Sequence, residues 1–104
     1  MLMKEKKMMH ATQEVTFKLI NNSGKPIDRI TIKNNWKDFD EHPVSGIENQ
    51  KGRIIQLETR YPLNLSFEGK FLDGGIFHYD FKYGVLQNNE MAFSIDPNGE
   101  FHSR

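Results

Sequence analysis

Apolar and polar residues alternate with a period of two along most of this chain. The clearest run is Leu63–Phe71, in which every second residue is apolar or glycine and the residues between them are polar. A period of two indicates a β-strand that buries one face. Further runs of this kind are centred on Phe17, Ile30, Ile55, Tyr79 and Phe93, and a short edge strand is expected from residue 100 onward.

Short clusters of turn-forming residues separate these runs. Residues 21–26 read Asn-Asn-Ser-Gly-Lys-Pro, residues 73–75 read Asp-Gly-Gly, and residues 96–99 read Asp-Pro-Asn-Gly. We interpret the first cluster as a hairpin loop between strands one and two, and the second as a tight hairpin turn with positive φ. The sequence therefore predicts an all-β chain, a single antiparallel β-sandwich of about six to seven strands over residues 13–104, preceded by a flexible arm at residues 1–12.

The fifth predicted strand carries Phe77, Tyr79, Phe81 and Tyr83 on one face. Four aromatic side chains at this spacing could stack on bases or sugars if the face were open to solvent. The neighbouring strands offer apolar partners such as Phe67, and cross-strand aromatic pairing favours packing inside a core. We therefore expect this aromatic strand to form the centre of the sandwich.

Residues 34–52 form the longest irregular stretch, and its most unusual segment is 36–43. This segment combines the only tryptophan with a phenylalanine, three carboxylates and a histidine. The carboxylates could coordinate calcium, but the segment lacks the glycine and the distal bidentate glutamate of a regular calcium loop. The two aromatic side chains could instead anchor a partner, or cap the open end of the sandwich. We take as candidate binding residues Trp36, Asp38, Phe39, Asp40, Glu41 and His42, and assign no metal site.

On the other face of the aromatic strand, His78, Asp80 and Lys82 stand in a row at a spacing of about 7 Å. A histidine and a carboxylate could share a proton or hold a metal if neighbouring strands supplied further ligands, whereas a solvated row of charges needs none. The chain contains no glycine-rich phosphate loop, serine elbow or paired-histidine motif. We therefore predict no enzymatic activity, no catalytic residue and no cofactor.

Length and charge narrow the function further. A chain of 104 residues suits one domain with one core. Its 14 basic and 14 acidic side chains cancel, so the broad positive field of a nucleic-acid-binding protein is missing. Residues 38–48 nevertheless carry four acids and no lysine or arginine, which suits a basic partner. The lack of cysteine and of an apolar leader predicts a cytoplasmic protein, unless a signal has been removed.

Residues 15–27 and 29–32 resemble the first hairpin of many small uncharacterised bacterial β-sandwich proteins. The same region is similar to aegerolysins, whose first hairpin has an Asn and Ser turn followed by a Trp-Gly-Lys-Phe motif. The matching residues here are Trp-Lys-Asp-Phe at 36–39, with a later echo, Glu-Gly-Lys-Phe, at 68–71. The aegerolysin resemblance implies a sandwich that binds particular lipids and recruits a pore-forming partner, with Trp36 near the lipid surface.

Two hypotheses for the function follow. The first is a non-enzymatic binding module for another protein, of the immunity or inhibitor type, that uses the loop with Trp36 and Phe39 or an exposed sheet edge. The second is aegerolysin-like binding to a membrane surface. Because unpaired sheet edges invite pairing, a dimer through edge strands is a further expectation.

Overall fold

The computed structural model describes residues 12–37 and 39–104, so all of the predicted arm except Thr12 lies outside the described residues. In the described part the chain is all-β, with eight strands and one short 3₁₀ helix at Gln87–Asn89. The strands are β1 (Gln13–Asn21), β2 (Ile27–Asn34), β3 (His42–Val44), β4 (Gly52–Thr59), β5 (Leu63–Phe71), β6 (Ile76–Tyr83), β7 (Glu90–Ile95) and β8 (Phe101–Ser103). No helix among these residues is long and apolar enough to cross a membrane.

The strands form two four-stranded sheets, ordered β4-β1-β7-β8 and β3-β2-β5-β6. All pairings are antiparallel except that of β1 with β7, which is parallel. The prediction of a purely antiparallel fold with six to seven strands is therefore wrong in both respects. The predicted hairpin between β1 and β2 is also wrong, because these strands belong to different sheets and the chain crosses between the sheets at residues 22–26.

The inner faces of the two sheets share one core. Phe17 of β1 and Phe67 of β5 belong to different sheets, and their ring centroids are 5.6 Å apart in an edge-to-face arrangement. Such pairs add about 1 kcal/mol beyond the burial of their area. The largest fully buried apolar side chains are Phe17, Phe67, Phe93, Leu19, Ile27, Ile30, Ile32, Leu63, Leu65, Ile95 and Val15. Alternation along the strands thus predicted the buried face correctly.

A buried asparagine organises the crossing from β1 to β2. The Asn21 side chain is 0% exposed, and its amide nitrogen donates to the carbonyls of Lys25 and Ile47 at 2.8 and 3.0 Å. Its Oδ1 accepts hydrogen bonds from the backbone N–H and the hydroxyl of Ser23. Because every polar atom of this amide has a partner, its burial carries little desolvation penalty. The residues that resemble a hairpin turn therefore build an arch between sheets.

The aromatic strand β6 lies at the edge of its sheet, not at the centre as predicted. Phe77 and Phe81 are buried at 8% and 5% exposure, Tyr79 is half-buried, and Tyr83 is 50% exposed. The core role of this face is therefore confirmed for its two phenylalanines. The alternation along β6 indicates that one face is buried. Edge strands and central strands both bury one face, so alternation does not distinguish them.

The stretch at residues 34–52, predicted to hold no buried element, contains the three-residue strand β3. β3 pairs with β2 at the sheet edge, and Val44 at its end is buried. Ile47 beyond it is also buried and forms an isolated bridge with Ile27. Pro43 sits in the middle of β3, which agrees with the rule that proline in sheets is confined to edges.

Candidate functional site

Trp36 lies at the start of the β2–β3 loop and is attached to the turn between β4 and β5. Its indole N–H donates to the carbonyls of Arg60 and Pro62 at 3.2 and 3.1 Å. Its backbone N–H donates to Oδ1 of Asn34 at 3.0 Å. The ring is half-buried. The side chain therefore ties two loops together at one end of the molecule.

Phe39 follows in the same loop and is also half-buried. The guanidinium of Arg60 lies over its ring, 5.3 Å from the centroid, within the range of a cation–π contact. Arg60 thus contacts Phe39 while its carbonyl accepts from Trp36. The two aromatic residues of the candidate site share this arginine, and they are packed against the protein instead of projecting as a free pair.

Beside these aromatics is a cleft of about 350 Å³ between the β2–β3 loop and β4. The half-buried ring of Phe39 forms its apolar floor, with Ile32 and Leu57 buried beneath the surface, and polar and charged side chains surround this floor. Its lining consists of Glu14, Ile32, Asn34, Phe39, Asp40, Glu41, His42, Gln56, Leu57 and Glu58. Four of the six predicted binding residues therefore line one cleft, Trp36 lies outside this lining, and Asp38 lies outside the described residues.

The cleft is acidic. Among the described residues, its lining includes the carboxylates of Glu14, Asp40, Glu41 and Glu58 and no lysine or arginine. Glu14 and Glu58 lie directly opposite each other in the β1–β4 ladder and are both exposed. Like charges in this relationship destabilise a sheet. An apolar floor beside an excess of negative charge suits a cationic ligand that also has an apolar part.

One cation that contacts this acidic group is Lys33, on the outer face of β2. Its Nζ lies 3.8 Å from Glu41 and 3.2 Å from Glu68. The hydrogen bond and charge of Glu68, followed by the charge of Glu41, raise the pKa of Lys33 above its ordinary value. Lys33 therefore stays protonated and compensates one edge of the cleft, while Glu14 and Glu58 are not paired with it.

The calcium alternative for Asp38, Asp40 and Glu41 is not tested, because Asp38 lies outside the described residues. The group of metal-ligating side chains that the described part of the chain brings together is Asp96 and Glu100 of the β7–β8 turn with His102 of β8. Asp96 is already engaged, because it accepts the backbone N–H groups of Asn98 and Glu100 and contacts His102 at 2.7 Å.

His78 on the outer face of β6 contacts two carboxylates. Its Nε2 lies 2.8 Å from Asp80 and its Nδ1 lies 3.8 Å from Glu68 of the neighbouring strand. A hydrogen bond from Ser66, followed by the contact with His78, lowers the pKa of Asp80. These side chains are about half exposed, so water competes for each contact. His78 and Asp80 of the row predicted from sequence thus belong to a surface network with two members, Ser66 and Glu68, from β5.

Sequence reasoning missed Glu14, Gln56 and Glu58 as parts of the cleft. They lie on β1 and β4, far along the chain from the β2–β3 loop, and only strand pairing brings them together. The sequence feature that could have identified Glu14 and Glu58 is the position of each residue in its strand. Glu14 and Glu58 are each outward-facing acids near the end of a predicted strand.

Comparison with known proteins gives the fold. No family model and no curated protein matches this chain. A protein from Eubacterium rectale whose structure was determined by NMR is similar, with 19% sequence identity over 88% of this chain and 86% of that chain, and a TM-score of 0.66. Likeness at this identity shows a shared fold alone, so function has to be argued from the site.

Proposed function

We propose that this protein is a binding module in which two packed sheets form a β-sandwich and the acidic cleft engages a protein partner. The observation that carries the proposal is the pairing of Glu14 with Glu58 beside an apolar floor. A like-charged cross-strand pair costs stability in the free protein. A cationic side chain of a partner placed between the two carboxylates would remove that cost.

The chemistry of the cleft defines the segment that it would accept. The half-buried ring of Phe39 offers apolar contact, while Asp40 and Glu41 on the loop extend the negative charge. A short peptide segment that alternates arginine or lysine with an apolar residue satisfies both parts. Charge of this kind accelerates association and selects against acidic partners. An immunity-type or inhibitory role fits this scheme, with the cleft covering a basic surface of its target.

The rigid setting of the cleft supports recognition by a preformed surface. Trp36 is bonded to the turn between β4 and β5, and Arg60 of that turn lies over Phe39. The loop is thereby attached to the neighbouring strands before any partner arrives. A preorganised site loses less entropy on binding than a mobile one.

The direct test is binding of a capped, fluorescently labelled peptide that alternates arginine with leucine, followed by fluorescence anisotropy. Neutralising the cleft with Glu14→Gln, Asp40→Asn and Glu58→Gln is expected to weaken binding at least about tenfold, or roughly 1.4 kcal/mol. The matched control neutralises three exposed acids outside the cleft lining, Asp28→Asn, Glu48→Gln and Glu100→Gln. It should retain the wild-type affinity.

The outcomes separate the competing explanations. Equal weakening by both triple variants would show that the peptide responds to net charge, and would overturn the proposed site. A peptide that alternates arginine with serine should bind more weakly than the leucine peptide, because it leaves the apolar floor uncovered. Binding of the protein to liposomes, with a blue shift of Trp36 emission and no effect of the cleft variants, would support the lipid hypothesis instead.

A further inference from the structure

β6 has an open edge whose free backbone groups can be identified. It pairs with β5 on one side, and no strand in the described part of the chain pairs with its other side. The N–H of Phe71 donates to the carbonyl of Gly75 at 2.7 Å, where the β5–β6 hairpin closes. Hydrogen-bonded pairs recur at every second position of an antiparallel ladder. The odd-numbered residues of β6 therefore bond to β5.

The even-numbered residues of β6 direct their backbone N–H and C=O groups to the open edge. These residues are Ile76, His78, Asp80 and Lys82, and all four side chains are exposed on the outer face of the sheet. An unpaired row of this kind is a template for another strand. Natural edges are often blocked by proline or a bulge, and β6 contains neither.

The same edge borders a groove of about 620 Å³ between the two sheets. The half-buried ring of Tyr79 and the exposed ring of Tyr83 line it beside the polar side chains of Asp80, Lys82 and His102, with Phe81, Phe93 and Phe101 buried beneath. At the two ends of the strand, Ile76 and Tyr83 are 82% and 50% exposed. A strand added at this edge would cover the groove and both ends.

We propose that β6 pairs antiparallel with β6 of a second copy of this chain, in the register that sets Tyr79 opposite Tyr79. In this register His78 of each copy lies opposite Asp80 of the other, so each imidazole faces a further carboxylate across the interface. Phe77 lies opposite Phe81 on the inner face, and Ile76 lies opposite the aliphatic stem of Lys82. Opposite charges and aromatic pairs in these positions stabilise a sheet.

Charge selects this register over its neighbours. Sliding one copy by two residues in one direction places Asp80 opposite Asp80 and His78 opposite Lys82. Sliding it by two in the other direction places His78 opposite His78. A slip of one residue would put the aromatic face of one copy on the solvent side of the other. Sliding it by four residues places Asp80 opposite Lys82 but pairs only residues 79–83. The register with Tyr79 opposite Tyr79 is therefore the one that pairs nearly the whole strand without opposing like residues in the charged row, which argues for a second copy as the occupant.

Cysteine pairs test the register, since the natural chain contains no cysteine. Residues opposite each other in a hydrogen-bonded pair have Cα atoms about 5.5 Å apart, within reach of a disulfide. A mixture of the His78→Cys and Asp80→Cys proteins should form a disulfide-linked heterodimer under mild oxidation. Crosslinking of the Asp80→Cys protein with itself at an equal rate would overturn the proposed register. A Glu48→Cys variant, whose cysteine lies outside β6, measures the rate of crosslinking by random collision.

Proline substitution tests the interface itself. Asp80→Pro removes an N–H that faces the open edge and leaves the β5 ladder intact. Ile54→Pro is the matched control on the open edge of β4, where the Asn21–Lys51 bond shows that even-numbered residues face outward. By sedimentation at up to about 1 mM, a range suited to small interfaces, wild type and Ile54→Pro should reach twice the chain mass.

Asp80→Pro should sediment at the mass of one chain, and circular dichroism would confirm its fold. Asp80→Lys, which keeps the backbone and replaces the carboxylate opposite His78 by a cation, should give the same loss of dimer. Wild-type protein that remains a single chain throughout this range would overturn the proposal. So would a dimer that survives both substitutions. The test is independent of the acidic cleft, because no residue of β6 lines that cleft.

Discussion

The ring of Phe77 on β6 occupies the space that a side chain at Gly69 on β5 would need. The two residues are opposite each other in the ladder, and a Cβ at Gly69 would lie 2.0 Å from the nearest ring atom. Phe77 also packs against the β7–β8 turn, where a Cβ at Gly99 would lie 2.6 Å from the Cβ of Phe77. Two glycines thus make room for one buried phenylalanine.

Gly69→Ala is therefore expected to destabilise the protein by about 1–3 kcal/mol, because the ring has to move within a packed core. The measurement is the free energy of unfolding in urea. Gly84→Ala is the matched control, since nothing lies within 4 Å of a Cβ at that position. Combining Gly69→Ala with Phe77→Leu should cost less than the sum of the two single changes. Strict additivity would contradict the contact.

Adjacent asparagines give a second test. Asn21→Ala removes an amide with hydrogen bonds to three groups of the β1–β2 arch and to Ile47, and should cost roughly 3 kcal/mol because these groups lose their partner. Asn22→Ala, at an exposed neighbour, should change stability by less than about 0.5 kcal/mol. Thermal unfolding of the two variants compares them directly. Equal losses of stability in the two variants would show that the Asn21 side chain has no special role in stabilising the arch.

The β7–β8 turn predicts a pH dependence. The contact with His102, followed by the backbone N–H of Glu100, lowers the pKa of Asp96 in the folded protein. A lowered folded pKa stabilises the protein above the unfolded pKa of about 3.9, and the contribution is lost as pH falls through the folded value. Asp96→Asn should therefore flatten the fall of the melting temperature between about pH 5 and pH 2. Asp28→Asn serves as the control, and an unchanged slope in Asp96→Asn would refute the assignment.

The acidic cleft predicts opposite effects on stability and on binding. Glu14→Gln relieves the repulsion with Glu58 and should raise the free energy of unfolding by about 0.2–1 kcal/mol. The same change should weaken binding of the arginine–leucine peptide. Glu48→Gln, outside the cleft lining, should leave both quantities unchanged. A Glu14→Gln protein that is less stable than wild type would show that the pair is not repulsive.

The sequence pattern predicted correctly the strands that bury one face, but the predicted arrangement of these strands in the sheets was wrong. The inward side chains around Phe17, Ile30, Ile55 and Phe67 are buried as expected, because alternation follows directly from strand geometry. β3 was not predicted because it is three residues long and contains Pro43, so no alternation of apolar and polar residues is visible. The link at residues 21–26 was misread because an arch and a hairpin use the same turn-forming residues.

The candidate site was predicted in part. The composition of the β2–β3 loop pointed to Phe39, Asp40, Glu41 and His42, which share the cleft. The composition could not reveal Glu58, because its place in the cleft depends on which strands pair. The role of Trp36 was equally hidden, since its indole partners are backbone carbonyls at residues 60 and 62, which no side-chain pattern records.

The most direct test of the central claim is a backbone-amide NMR titration of the wild-type protein with the arginine–leucine peptide. The largest chemical-shift changes are expected at residues 39–42 and 56–58 and at Glu14. The indole N–H of Trp36 is expected to shift less than these. All of these changes are expected to shrink as salt is added, since exposed charges are screened. Changes confined to other surfaces, or none at millimolar peptide, would contradict the acidic cleft as the binding site.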